Sequence, residues 1–219
     1  GGDMTAEAGR ALSAERLTVG AASLTSADAL SVARSDFGAL TAATTGRTPA
    51  LAGAPAPALT LDTLAAASLT ADSAGRLDVD AATVTGLATL GAAGDAVLNA
   101  STFGRLDLTA GGDALVTDVE ATDGTVTTAL GGTVSNHVGD TLIVTSVDDA
   151  LLTDVAVSDL TVDAVRDAAL TRVTADVASL EAGRDLSVAD SALTTLTAEA
   201  GQDAVLSDLS SADAAATAG

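Results

Sequence analysis

The chain has 219 residues, 47% of them hydrophobic but only 1% aromatic, with no cysteine and a formal net charge of -21. This balance excludes a disulfide framework and a thiolate metal site, and it disfavours direct binding to nucleic acid phosphates or anionic lipid. A core without Trp or Tyr must be filled by Ala, Val and Leu, which suits a slender interior better than a thick globule.

In chain order the first elements are short strands. Met4 and Ala6 fit the last strand of a winding already under way; separately, the first residues show no basic segment followed by an apolar run, so no signal peptide is expected there. Nowhere does the chain approach the ~20 uninterrupted apolar residues of a membrane span. "DALVTDV" at 113 to 119 returns as "DALLTDV" at 149 to 155. Asp95, Asp113, Asp149, Asp167, Asp185 and Asp203 mark the same period, 18 residues, or 36 where Gly131 replaces the aspartate. Two residues after the position that follows each marker, every winding is apolar: Ala14, Val32, Leu61, Val79, Leu98, Val116, Val134, Leu152, Leu170, Val188 and Leu206.

Further inward positions fall five, seven, ten and twelve residues after that first slot. They include Leu64, Val119, Val155 and Val173, then Phe37, Val84, Phe103 and Leu193. Leu40, Leu69, Leu87, Leu106, Leu142, Leu160 and Leu196 come next, followed by Leu24, Leu108, Val126, Val144, Val162 and Leu180. Spacing of two within a pair is strand alternation, and one extra residue between pairs turns a corner. A helix would scatter these residues around its surface. The pattern predicts an all-β parallel solenoid of about eleven coils over 1–219, three short strands per coil and about 18 residues per coil. With coils ~4.8 Å apart this makes a rod on the order of 50 Å long.

Each coil is expected to close through a small-residue corner such as "AGRD" at 182 to 185, where Gly75, Gly183, Gly201 and Gly219 supply backbone freedom. Two irregularities stand out. Between Leu30 and Leu59 the step is 29, and "GRTPALAGAPAPA" with Pro49, Pro55 and Pro57 predicts a proline-rich loop near 46–58. "GGTVSNHVGD" at 131 to 140 carries the sole histidine and predicts a distorted coil. The pattern runs through both chain ends without a cap, as in a segment of a longer repetitive chain or a unit that associates end to end with its copies.

Stretches such as "AGRDLSVADSALTTLTAEAGQDAVLSDL" (182 to 209) resemble the repeats of filamentous haemagglutinin-like proteins, the large exoproteins of bacterial two-partner secretion. The resemblance rests on the Ala-Gly-x-Asp, apolar-x-apolar grammar and spans nearly the whole chain outside the proline loop. It implies a right-handed parallel β-helix, an extracellular or bacterial cell-surface location, and service as the stalk of an adhesin or contact-dependent toxin carrier. The secretion-signal domain and C-terminal effector domain of that family have no counterpart here.

The aspartate column is the most regular polar feature. Carboxylates stacked ~5 Å apart repel by about 0.8 kcal/mol per neighbour in water, so something must offset them. Asx-type turns at the corners are the first reading; Ca2+ held between coils, helped by Asp154, Asp190 and Asp208, is the alternative, although the glycine-rich nonapeptide of calcium β-rolls is absent. His137 falls in an inward column with no Cys, second His or nucleophilic Ser elbow near it, and reads as structural. The outward Ser23, Thr41, Thr70, Thr125, Thr161, Ser179 and Thr197 form a row, interrupted by Ala88, Asp107 and Ile143, that reflects either strand propensity or an ice-binding-like array.

Polysaccharide-cleaving β-helices need long cleft loops with basic and aromatic side chains. Here Arg10, Arg16 and Arg34 are scattered, Arg166 and Arg184 stack elsewhere, and Tyr and Trp are missing, so no enzyme, catalytic residue, metal ligand or obligatory cofactor is assigned. The expected role is a structural stalk or scaffold. Direct binding of a glycan, a host-cell receptor or calcium is the alternative.

Overall fold

The structure is a computed structural model that describes residues 2–46 and 57–219. The chain forms two compact units, Gly1–Gly112 and Asp113–Gly219. Each is an all-β parallel solenoid with about 18 residues per turn; together they hold about eleven turns, and the described residues contain no helix.

The expected three strands per turn are visible in the ladders. In the first unit, residues 29–33, 35–37 and 39–44 pair in parallel with 58–62, 64–66 and 68–73. In the second, 150–153, 155–157 and 159–164 pair with 168–171, 173–175 and 177–182. Residues 34, 38, 154 and 158 drop out of these ladders and mark two bends per turn. Alternation explains the core: Val32, Leu61, Val79, Leu98, Val116, Val134, Leu152, Leu170 and Val188 are all at most 1% exposed, while Leu206 is half-buried. Parallel pairing keeps equivalent residues in register, so each inward column becomes a stack of aliphatic groups from successive turns.

The step of 29 is confirmed by the pairing of Ala29 with Ala58, and the ladder resumes at Ala58 as though nothing had intervened. Of the proline-rich loop, Pro49 and Pro55 lie outside the described residues; Pro57 is within them, and its carbonyl accepts the Arg76 N–H at 3.0 Å.

Three expectations need correction. Leu87 was expected inward but is 47% exposed, while Ala88, expected outward, is fully buried. The step from Leu77 to Ala96 is 19, and the extra residue is absorbed between Val84 and Leu87, after which the ladder resumes one position later. The coil containing His137 is not distorted: Gly132–Ser135 and His137–Val138 keep the 18-residue register with 150–153 and 155–156. Nor do the closing glycines serve as left-handed corners, since Gly46 is the only described glycine with positive φ. They are small because the previous turn passes too close. A Cβ on Gly183 would lie 2.1 Å from the Val165 carbonyl oxygen, and one on Gly201 equally near that of Gly183.

The left-handed positions fall at the first bend instead, on residues with side chains. Arg16, Arg34, Thr63, Ala81 and Ala100 in the first unit, and Asp118, Asn136, Asp154, Arg172, Asp190 and Asp208 in the second, have φ between 48° and 55°. Asn and Asp tolerate this conformation; Arg, Thr and Ala adopt it at a cost of about 1–2 kcal/mol each. The Arg16 N–H donates to the Ala33 carbonyl at 3.1 Å, and that of Asp118 to the Ser135 carbonyl at 3.1 Å, so turn-to-turn bonding holds the bend.

Candidate functional site

Inside the turns, polar side chains are used as fasteners. Ser35, Ser101 and Ser191 occupy the inward position just after the left-handed residue and are buried. Each accepts a backbone N–H from the preceding turn, of Leu17, Ala82 and Val173, at 3.0, 3.0 and 3.1 Å. Each also donates at 2.8 Å to the carbonyl two residues earlier, of Ala33, Asn99 and Ala189. A second set precedes the closing corner. Ser73 donates to the Arg76 carbonyl at 2.7 Å and lies 3.2 Å from the Thr44 hydroxyl; the Ser146 hydroxyl, with one proton to give, stands between the Leu130 and Asp149 carbonyls at 2.5 and 2.9 Å. A buried hydroxyl bonded in this way removes the desolvation penalty of the backbone groups at a corner.

The aspartate column is a turn-to-turn device rather than a set of turns closed within each coil. The Asp113 carboxylate accepts the Gly131 N–H at 2.8 Å. Asp149 accepts that of Asp167 at 3.3 Å, Asp167 that of Asp185 at 3.2 Å, and Asp185 that of Asp203 at 3.3 Å. Arg184 reaches Asp167 at 3.0 Å, and Arg166 lies 2.5 Å from Asp148 and 3.5 Å from Asp149. These bonds and cations supply the offset that stacked carboxylates require. Asp154, Asp190 and Asp208 stand at the far end of the first strand, in the left-handed column, so they do not join the Asp149 column in one ligand set. Arg172 instead holds Asp154 through two bonds of 2.6 and 2.8 Å, which lowers the Asp154 pKa and raises that of Arg172. Among the described residues no group of three or more His, Cys, Asp or Glu is arranged to hold a metal ion.

His137 is 1% exposed in the column of Val119 and Val155, and neither ring nitrogen has a hydrogen-bond partner. Burial lowers its pKa to about 4; the Val119 backbone pulls the other way without reaching hydrogen-bond geometry. Gly139 is required by the backbone rather than by the ring: a Cβ there would lie 2.0 Å from the Ala121 carbonyl oxygen and 3.3 Å from Nε2 of the imidazole, whereas one on Gly124 would stand at ordinary contact distance, 3.6 Å, from Cε1.

The left-handed bend makes the surface concave. In the first unit an open groove of about 540 Å³ runs along it, with Arg16, Arg34 and Thr63 on one lip, Thr18, Asp36 and Thr83 on the other, and Leu17, Ser35 and Leu64 along the floor. Glu15 pairs with Arg34 and lies 3.6 Å from Arg16, so the two cations are partly neutralised. A smaller groove of about 420 Å³ follows the second bend in the other unit, between Thr174 and Asp176 on one turn and Ser210 and Ala212 on another.

The Ser/Thr row is more continuous than the sequence count indicated. After the inserted residue, Thr89 rather than Ala88 stands in it, giving Ser23, Thr41, Thr70 and Thr89 on consecutive turns before Asp107. The signal was the step of 19, which moves every later position in that coil by one. Comparison of the chain with protein-family models, with curated proteins and with solved structures finds no match.

Proposed function

We propose that the chain is a structural stalk or scaffold segment of a large secreted bacterial adhesin or contact-dependent exoprotein of the filamentous haemagglutinin-like kind, working outside the cell. One observation carries the reading: the polar side chains buried within the turns, His137 apart, are spent on joining strand ladders, bends and corners. Such an arrangement resists extension along the chain, because each turn is held by a ladder of backbone bonds and by a shared apolar column. The partners expected on this reading are adjoining coils and a surface receptor; nucleic acid and bilayer insertion are not among them.

Single-molecule stretching between the chain ends tests the proposal. A scaffold should give way turn by turn, each 18-residue step releasing on the order of 60 Å of extended chain. Smooth extension at low force, without discrete steps, would refute it. The open groove beside Arg16 and Arg34 favours a second reading, ligand capture. Loss of glycan or cell adhesion in an Arg16→Ala/Arg34→Ala variant of unchanged melting temperature would favour capture over passive spacing.

A further inference from the structure

The first strand of the second unit presents an outward face without charge. Leu115, Thr133, Leu151, Ala169, Ser187 and Val205 stack on successive turns, each paired in register with the next. The parallel outward row two residues along, from Thr117 to Ser207, contains only Thr, Ser and Ala. Leu115, Leu151 and Val205 are 43%, 44% and 57% exposed.

Leu130, Val138, Ile143, Val147, Val165 and Val177 of this unit are exposed as well, but Val138 and Val177 pair directly with Glu120 and Asp159, so absence of charge rather than apolar exposure sets the strip apart. Elsewhere in the same unit the outward positions carry Glu120, Asp140, Asp159, Asp163, Glu181 and Glu199. The equivalent face of the first unit carries Glu15, Asp62, Asp78 and Asp80. The uncharged strip is bordered by two columns that are acidic on balance: the Asp149 column at one edge, with Arg166 and Arg184 paired against it, and the left-handed Asp118, Asp154, Asp190 and Asp208 at the other, with Asn136 and Arg172 interspersed among them. "DALVTDV" and "DALLTDV" are therefore cross-sections of one surface: acid, inward, outward, inward, outward, acid.

We propose that this face docks a cationic amphipathic segment, a peptide or protein helix whose apolar row lies on the strip and whose flanking Lys and Arg meet the two acidic borders. The dimensions agree. Five residues of strand separate the borders by about 16 Å, and an α-helix with its side chains is about 10–12 Å across, leaving its flanks within reach of both. Six turns span about 24 Å, the length of roughly 16 helical residues. The area, on the order of 400 Å², matches functional patches on single chains and is smaller than a permanent interface, so binding is reversible. A second copy is a poor occupant, because identical acidic borders would oppose one another.

The test uses the full chain and three labelled 18-residue probe peptides: Leu/Lys with leucines along one helical face, Ser/Lys of equal charge, and Leu/Glu. Fluorescence anisotropy should show the Leu/Lys probe binding at least tenfold tighter than Ser/Lys, with Leu/Glu not binding. Leu151→Asp and, independently, Thr153→Asp should abolish that preference; both positions are outward, and whichever variant melts like the parent is read. Leu87→Asp, on the exposed surface of the first unit, should leave it intact. A preference below tenfold would show only general attraction to a chain of charge -21 and would overturn the proposal. So would a preference that survives the face variants, or sedimentation showing that the face pairs two copies and that Leu151→Asp separates them.

Discussion

Replacing His137 by leucine should remove a specific part of the acid sensitivity of the fold. The imidazole is buried with both nitrogens unpartnered, and its pKa falls from 6.5 to about 4. Below pH 6.5 the unfolded chain therefore binds a proton that the folded chain refuses, so the stability present above that pH is lost as pH falls towards 4. A shift of this size corresponds to about 3 kcal/mol in full, and about 2 kcal/mol of it is lost between pH 7.5 and pH 5. Carboxylates titrate mainly below this window and are shared by parent and variant, so they cancel in the comparison. Urea denaturation followed by far-ultraviolet circular dichroism at pH 7.5 and 5 gives the readout. The parent should lose about 2 kcal/mol more than His137→Leu over this interval. Parallel pH profiles for the two proteins would refute the reasoning, whatever their absolute stabilities.

Leu170→Asp places a charge in a column that is 1% exposed there, and should cost about 3–5 kcal/mol in a thermal melt; melting like the parent would disprove the inward assignment. Ser101→Ala strands the Ala82 N–H and should cost about 1–2 kcal/mol in urea denaturation. Gly201→Ala pushes a methyl against the Gly183 carbonyl and should lower the melting temperature, whereas Gly9→Ala, with nothing within 4 Å of its new Cβ, should leave it unchanged. Millimolar calcium should not raise the melting temperature, because the Asp149 column already accepts backbone N–H groups and Asp154 is held by Arg172; a rise would point to a calcium site between turns.

The period and the inward columns were legible because strand alternation and an 18-residue register act on every turn alike. Leu87 was misplaced because a fixed offset was carried through a coil whose length, 19 from Leu77 to Ala96, was itself readable. The left-handed bend left a weaker trace. Asp118, Asn136 and Asp154 hint at it, but Arg16, Thr63 and Ala100 share no chemistry with them; register across turns, rather than local preference, imposes the conformation. The aspartates were recognised as backbone acceptors, yet their donor belongs to the next turn, which only three-dimensional stacking reveals. Ser35, Ser101 and Ser191 escaped notice because an apolar residue fills the same position in other coils. The clue was recurrence: a serine one step after a left-handed corner, three times over.

The bulge at Thr85 and Gly86 bears on how such a chain tolerates change in length. One surplus residue is taken up within a single bend, and Ala88 pairs with Leu106 as if the count had never slipped. Errors of one are thus confined locally, while gain or loss of a whole coil preserves all the stacks at once. Tandem duplication can lengthen the molecule without any new packing solution, which makes reach an easily inherited variable.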